Sequence, residues 1–95
     1  MLNDNTAKIL KENHKYQDTL NLFYRVSLGL PSKIVKSAYI NMASKELNVP
    51  VGEVREYLQI LEILKLIEET TDERLILGEN AEKYVPEHIK KEFVQ

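Results

Sequence analysis

Met42-Ala43-Ser44-Lys45-Glu46-Leu47-Asn48-Val49-Pro50-Val51-Gly52-Glu53-Val54-Arg55-Glu56-Tyr57-Leu58-Gln59-Ile60-Leu61 is the stretch that decides the fold. Ala43 is small enough for a second helix to cross closely over it. Leu47 closes the first helix of the pair, and Asn48 follows where a chain turns through positive φ, which Asn tolerates better than most residues. Pro50 suits the first turn of the next helix, where its missing N–H costs nothing. Val54, Leu58 and Leu61 then recur at helical spacing and face back toward Ala43. The stretch predicts two short helices joined by a tight turn.

Working outward, Ser32 is expected to cap the earlier helix, which runs to about Leu47. Its core side is Ile34, Val35, Ala38, Met42, Ala43 and Leu47. Its other side offers Lys33, Ser37, Asn41, Ser44, Lys45 and Asn48, with no carboxylate among them. The later helix spans Pro50 to about Lys65, with Gly52, Arg55, Glu56, Gln59, Ile60 and Ile63 outward. Leu66–Thr70 and Arg74–Leu77 read as two strands around a turn at Thr71-Asp72-Glu73. A helix over Glu79–Val85 ends before Pro86, and Ile89 and Phe93 suit a last helical segment.

Toward the N-terminus, Ile9, Tyr16, Phe23 and Leu30 fall seven apart, and Leu20 and Tyr24 widen the stripe. This spacing predicts one long helix over residues 4–28, ended by Gly29 and Pro31. The expected fold class is mainly α with a small β-hairpin, in a single domain over residues 1–95. Within it, residues 1–30 form the long helix, 32–78 the helix pair and hairpin, and 79–95 a helical tail.

Composition narrows the function classes. A chain of 95 residues buries only a modest core, so a partner subunit would help its stability. The absence of cysteine excludes disulfides and thiolate metal sites. No apolar run approaches the roughly 20 residues of a membrane span, and Met1–Asn5 lacks the basic and apolar regions of a signal peptide. A cytoplasmic protein is expected. His14 and His88 share no ligand spacing with other donors, the three glycines form no phosphate loop, and no nucleophile, base and acid assemble. Neither enzyme activity, metal nor cofactor is expected. The net charge of −2 divides unevenly: residues 1–48 carry seven basic and four acidic side chains, residues 49–95 six and eleven. The helix that opens the pair lies in the basic half.

The order helix, helix, helix, strand, strand, helix resembles a winged helix-turn-helix domain. The resemblance rests on Ala43, Leu47-Asn48-Val49-Pro50, Val54, Leu58, Leu61, Leu64, Leu66-Ile67 and Leu77-Gly78 followed by Ala81 and Tyr84, and covers roughly residues 32–85. The layout with flanking terminal helices is similar to small dimeric archaeal and bacterial regulators and to plasmid-partition proteins. The resemblance implies that Val51, Gly52, Arg55, Glu56 and Gln59 face base edges. Lys33, Ser37, Asn41, Ser44 and Lys45 would hold phosphates, and Thr71 and Arg74 would touch DNA from the hairpin. Ile9, Tyr16, Phe23, Ile89 and Phe93 are expected to form a homodimer. The function implied is sequence-specific binding of double-stranded DNA, in a repressor that acts by occupying its operator or in a centromere-binding partition protein. The alternative is a protein–protein interaction module that does not read DNA, suggested by Glu53 and Glu56 on the reading helix and Asp72 and Glu73 on the turn.

Overall fold

The computed structural model describes residues 4–93. In chain order the elements are α1 (Asp4–Glu12), α2 (His14–Ser27), β1 (Ile34–Val35), α3 (Lys36–Leu47), α4 (Val51–Ile63), β2 (Ile67–Glu69), β3 (Arg74–Leu77), α5 (Ala81–Tyr84) and α6 (Glu87–Lys90). A single 3-10 turn, Lys91–Phe93, follows. The described residues are therefore mainly helical with a small antiparallel sheet, in the strand order β1-β3-β2.

The expected single N-terminal helix is two helices. Asn13 is extended (φ −145°), and its side-chain oxygen accepts the Lys15 N–H at 3.0 Å. Asn is among the strongest N-capping residues, because its oxygen satisfies a donor that the first turn would leave orphaned. The seven-residue spacing of Ile9 and Tyr16 runs across this break, so periodicity alone conceals it. The division lets α1 bury Leu10 and Thr6, while α2 buries Thr19, Leu20, Phe23, Tyr24 and Ser27. At its far end α2 leaves through two left-handed residues, Leu28 (φ 58°) and Gly29 (φ 70°), with the Gly29 N–H on the Tyr24 carbonyl at 2.9 Å.

Ser32 does not cap α3. Ile34 and Val35 instead pair with Leu75 and Arg74 of β3, and α3 begins one residue later. The Lys36 N–H continues this link to the Glu73 carbonyl at 3.2 Å. Two β-branched residues gain sheet bonds here that a serine cap would forgo. As a result, the start of α3 is fastened to the hairpin.

The turn and second helix of the pair follow the sequence expectation, but Val35 and Ala38, expected on the core side of α3, are exposed, and Tyr39 and Ile40 are buried instead. Asn48 is left-handed (φ 55°), Pro50 stands immediately before α4, and Ala43, Val54, Leu58 and Leu61 are buried. The core they share includes Leu20, Phe23, Tyr39, Ile40, Leu66, Ile67, Leu75 and Ile89. Phe23 meets Tyr39 edge to face, with ring centroids 5.1 Å apart. The Tyr39 hydroxyl donates to the Thr19 carbonyl at 2.6 Å, and burial pushes this phenol's pKa up.

The hairpin base is tight. The Gly78 N–H donates to the Leu66 carbonyl at 2.9 Å, and a Cβ on Gly78 would stand 2.0 Å from the Lys65 carbonyl oxygen. Only glycine permits that approach. At the other end, Arg25 grips Glu92 through two hydrogen bonds of 2.9 Å, and Phe93 lies against Tyr24 with ring centroids 5.9 Å apart. The C-terminal segment is thus fixed on α2. Residues 94–95 of the expected tail and residues 1–3 of the expected N-terminal unit lie outside the described residues.

Candidate nucleic-acid interface

α4 presents Val51, Gly52, Arg55, Glu56 and Gln59 to solvent, as expected. These positions recur at three- and four-residue steps and so share one side of the helix. Arg55 has no ion pair among the described residues, and Glu62 lies 4.0 Å from Lys36. Nothing lies within 4 Å of the place a Gly52 Cβ would occupy. Glu53 is drawn off this face: its carboxylate accepts the Tyr57 hydroxyl at 2.9 Å. Burial, followed by this carboxylate, raises the Tyr57 pKa. Of Glu53 and Glu56, only Glu56 is exposed.

On and just before α3, Lys33, Ser37, Asn41 and Lys45 are exposed. Ser44 is a correction. Its hydroxyl donates to the Val49 carbonyl at 2.6 Å, and its own carbonyl takes the Val49 N–H. Ser44 therefore holds the turn between the helices closed, and its donor is engaged.

Hairpin and helices enclose a cleft of about 340 Å³ lined by Ser37, Arg55, Glu69, Asp72, Arg74 and neighbouring residues. Arg74 lies 3.3 Å from Asp72, and Thr71 is exposed at the tip. Thr70 shapes the turn, donating to the Asp72 carboxylate and accepting the Arg74 N–H. The Thr70 contact, with Lys33 and Arg74 nearby, holds the Asp72 carboxyl below its usual range.

The sequence offers Lys36 as part of a positive band with Lys33, Lys45, Arg55 and Arg74, but the structure pairs it inside the chain. It bonds Glu69 at 2.5 Å and approaches Glu62 at 4.0 Å, joining α3, β2 and α4. Burial and the nearby Glu69 raise the Glu62 pKa, and Lys36 opposes them. The only signal for this role lies in the fold, since Lys36 and Glu69 are 33 residues apart. Lys36 is consequently neutralised within the chain. Lys33, Lys45 and Arg55 remain exposed.

The expected dimer residues are largely spent inside one chain. Phe23 and Ile89 are buried core side chains, so they offer no surface to a second copy. Tyr16 packs edge to face on Tyr57 with ring centroids 5.5 Å apart, and Phe93 packs on Tyr24. Ile9 is half-buried on α1. Helical periodicity identifies a buried face without saying what buries it, and here the chain buries it itself.

Among the described residues no group of three His, Asp or Glu side chains is placed to hold a metal ion. His14 contacts Asp18 at 3.2 Å on the surface. No described helix is long and apolar enough to cross a membrane. Compared with protein-family models, curated proteins and solved structures, the chain matches none.

Proposed function

We propose that this chain is a winged helix-turn-helix protein that binds specific double-stranded DNA as a homodimer in the cytoplasm. It acts as a transcriptional regulator, repressing by occupancy; a centromere-binding partition protein would use the same contacts. The outward side of α4 carries the reading: Gly52 open, Arg55 without an ion pair among the described residues, Gln59 exposed, and Glu53 turned back onto Tyr57.

Arg55 suits bidentate pairing with guanine O6 and N7, Gln59 suits adenine, and Glu56 can accept from cytosine N4. Gly52 lets the helix backbone approach a groove wall. Lys33, Ser37, Asn41 and Lys45 would contact phosphates and set the register. The β1–β3 pairing supports the same reading, because it makes α3 and the hairpin one unit, so that both engage DNA in fixed relation to α4. Thr71 and Arg74 would approach an adjacent stretch of backbone. Binding selection from a pool of randomised duplexes tests the proposal. Enrichment of one sequence motif supports it, and an unenriched pool after several rounds refutes it.

The exposed acids of the hairpin, Glu68, Glu69, Asp72 and Glu73, favour a second reading, in which this side docks on a basic protein. Failure of all duplexes to bind at low salt would select it.

A further inference from the structure

The tip half of the hairpin faces α4 across the cleft of about 340 Å³, with Ile40 and Arg55 on the helices and Glu69, Asp72 and Arg74 on the hairpin. Close packing fixes the base of the hairpin, where Gly78 abuts the Lys65 backbone. The tip half is held by other means. β1 pairs with β3, and the Lys36 N–H donates to the Glu73 carbonyl at 3.2 Å. These links reach β3 and the turn. The edge strand β2 is reached by the Lys36 ammonium, which bonds the Glu69 carboxylate at 2.5 Å. Among the described residues this is the one ion pair that joins a helix to the hairpin.

The register explains why a lysine is needed there. Ile34, Leu75 and Glu69 stand opposite one another across the three strands. Opposed residues share a face of a sheet, and Leu75 is fully buried. Glu69 therefore extends from the edge strand on the side that meets the helices. A carboxylate there needs a cation from the helical layer, and Lys36, at the start of α3, supplies it.

A second acid shares the same ammonium. Glu62, in the last turn of α4, lies 4.0 Å from Lys36. Glu69 stands near enough to help raise the Glu62 pKa, and Lys36 opposes it. One positive charge thus separates a carboxylate of α4 from a carboxylate of β2. Without it, two like charges face each other across the joint and push it apart.

We infer that Lys36 is a positioning residue that sets the distance between the hairpin tip and α4, and with it the contacts that Thr71 and Arg74 make while α4 is engaged. The distance is a property of the single chain; its consequence for contacts rests on the DNA reading. A partly exposed ion pair contributes little to stability. Here it acts on a joint bordered by a cleft, so its loss appears as a change of geometry.

The chain has no cysteine, so Thr71→Cys and Glu56→Cys place one spin label at the hairpin tip and one on α4. Double electron–electron resonance on the full chain then reads their separation without DNA. The wild-type and Lys36→Arg backgrounds should give one narrow distribution, since arginine keeps the link to Glu69. Lys36→Gln and Glu69→Gln break that link from opposite sides, and each should broaden the distribution and lengthen its mean. Arg25→Gln, which breaks the Arg25–Glu92 pair, should leave it unchanged and so separates position from stability. A distribution unchanged in either Lys36→Gln or Glu69→Gln overturns the inference, as does equal broadening in Arg25→Gln. In chains without the added cysteines, Lys36→Gln should lose about tenfold in affinity for a selected duplex, and Lys36→Arg should not. Full affinity in Lys36→Gln beside a shifted distribution overturns the consequence for DNA contacts. A shifted distribution with no duplex bound even by wild type removes the DNA reading and leaves the positioning role standing.

Discussion

Gly52 allows stability and the proposed DNA binding to be separated by substitution at one position. It lies in the first turn of α4, its φ is not in the left-handed region, and a Cβ there meets nothing within 4 Å. The fold therefore has no steric need for glycine. Alanine is better than glycine in a helix interior by roughly 0.8–1 kcal/mol. Near the helix start we take about half of that, about 0.5 kcal/mol. In a domain of this size it corresponds to roughly 2–4 °C in melting temperature. Gly52→Ala should thus melt higher than wild type by circular dichroism. If the backbone at Gly52 approaches a groove wall, Gly52→Leu should retain the fold yet weaken specific binding at least about tenfold, which is 1.4 kcal/mol. Anisotropy titration with a selected duplex reads that loss. A lower melting temperature for Gly52→Ala would contradict the open geometry. Undiminished DNA affinity in Gly52→Leu would refute the close-approach argument.

Gly78→Ala should have the opposite effect on stability. Its Cβ would meet Lys65 backbone, and opening the hairpin base to relieve the clash would cost about 2–4 kcal/mol in overpacking and a lost hydrogen bond. A melting temperature lowered by less than about 5 °C would contradict this packing. Arg55→Ala should weaken binding to the selected duplex by roughly 1–3 kcal/mol and relax preference at one base pair, whereas Lys45→Ala should weaken all duplexes alike and reduce the salt slope by about 1. Equal losses from both substitutions on selected and random DNA would overturn these assignments. Glu62 has a folded pKa above its unfolded value of 4.5, because of burial and then Glu69. Its contribution to stability is fully present below that value and is lost as pH rises through the folded pKa. Glu62→Gln should therefore melt higher than wild type at neutral pH, with the difference closing as pH falls toward 4.5. A constant difference across that window, measured by thermal unfolding, would exclude the titration as its source.

The helix pair was legible because its signals are local: a small residue at Ala43, Asn48 at the turn, Pro50 at a helix start, and Val54, Leu58 and Leu61 at helical spacing. The outward side of α4 followed from the same periodicity. The break at Asn13 was masked by apolar spacing continuing through it, although an Asn followed two residues later by a helical N–H is a common cap. β1 was not legible, since a two-residue strand exists only through β3, about 40 residues further on. The roles of Ser44 and Lys36 depend on which backbone or carboxylate the fold brings within reach. The dimer assignment to Phe23 and Ile89 failed because an apolar stripe records burial and leaves its partner unnamed; the structure supplies that partner from within the chain.

The central claim is that the α4 side binds duplex DNA specifically. Its most direct test is fluorescence anisotropy of labelled duplex from upstream of the chain's own gene, beside a scrambled duplex, across a salt series with wild type and Arg55→Ala. The account predicts tighter binding to the native sequence, a linear fall of log affinity with log salt, and loss of most of the discrimination in Arg55→Ala. No binding to either duplex at low salt, or identical discrimination in wild type and Arg55→Ala, would contradict it.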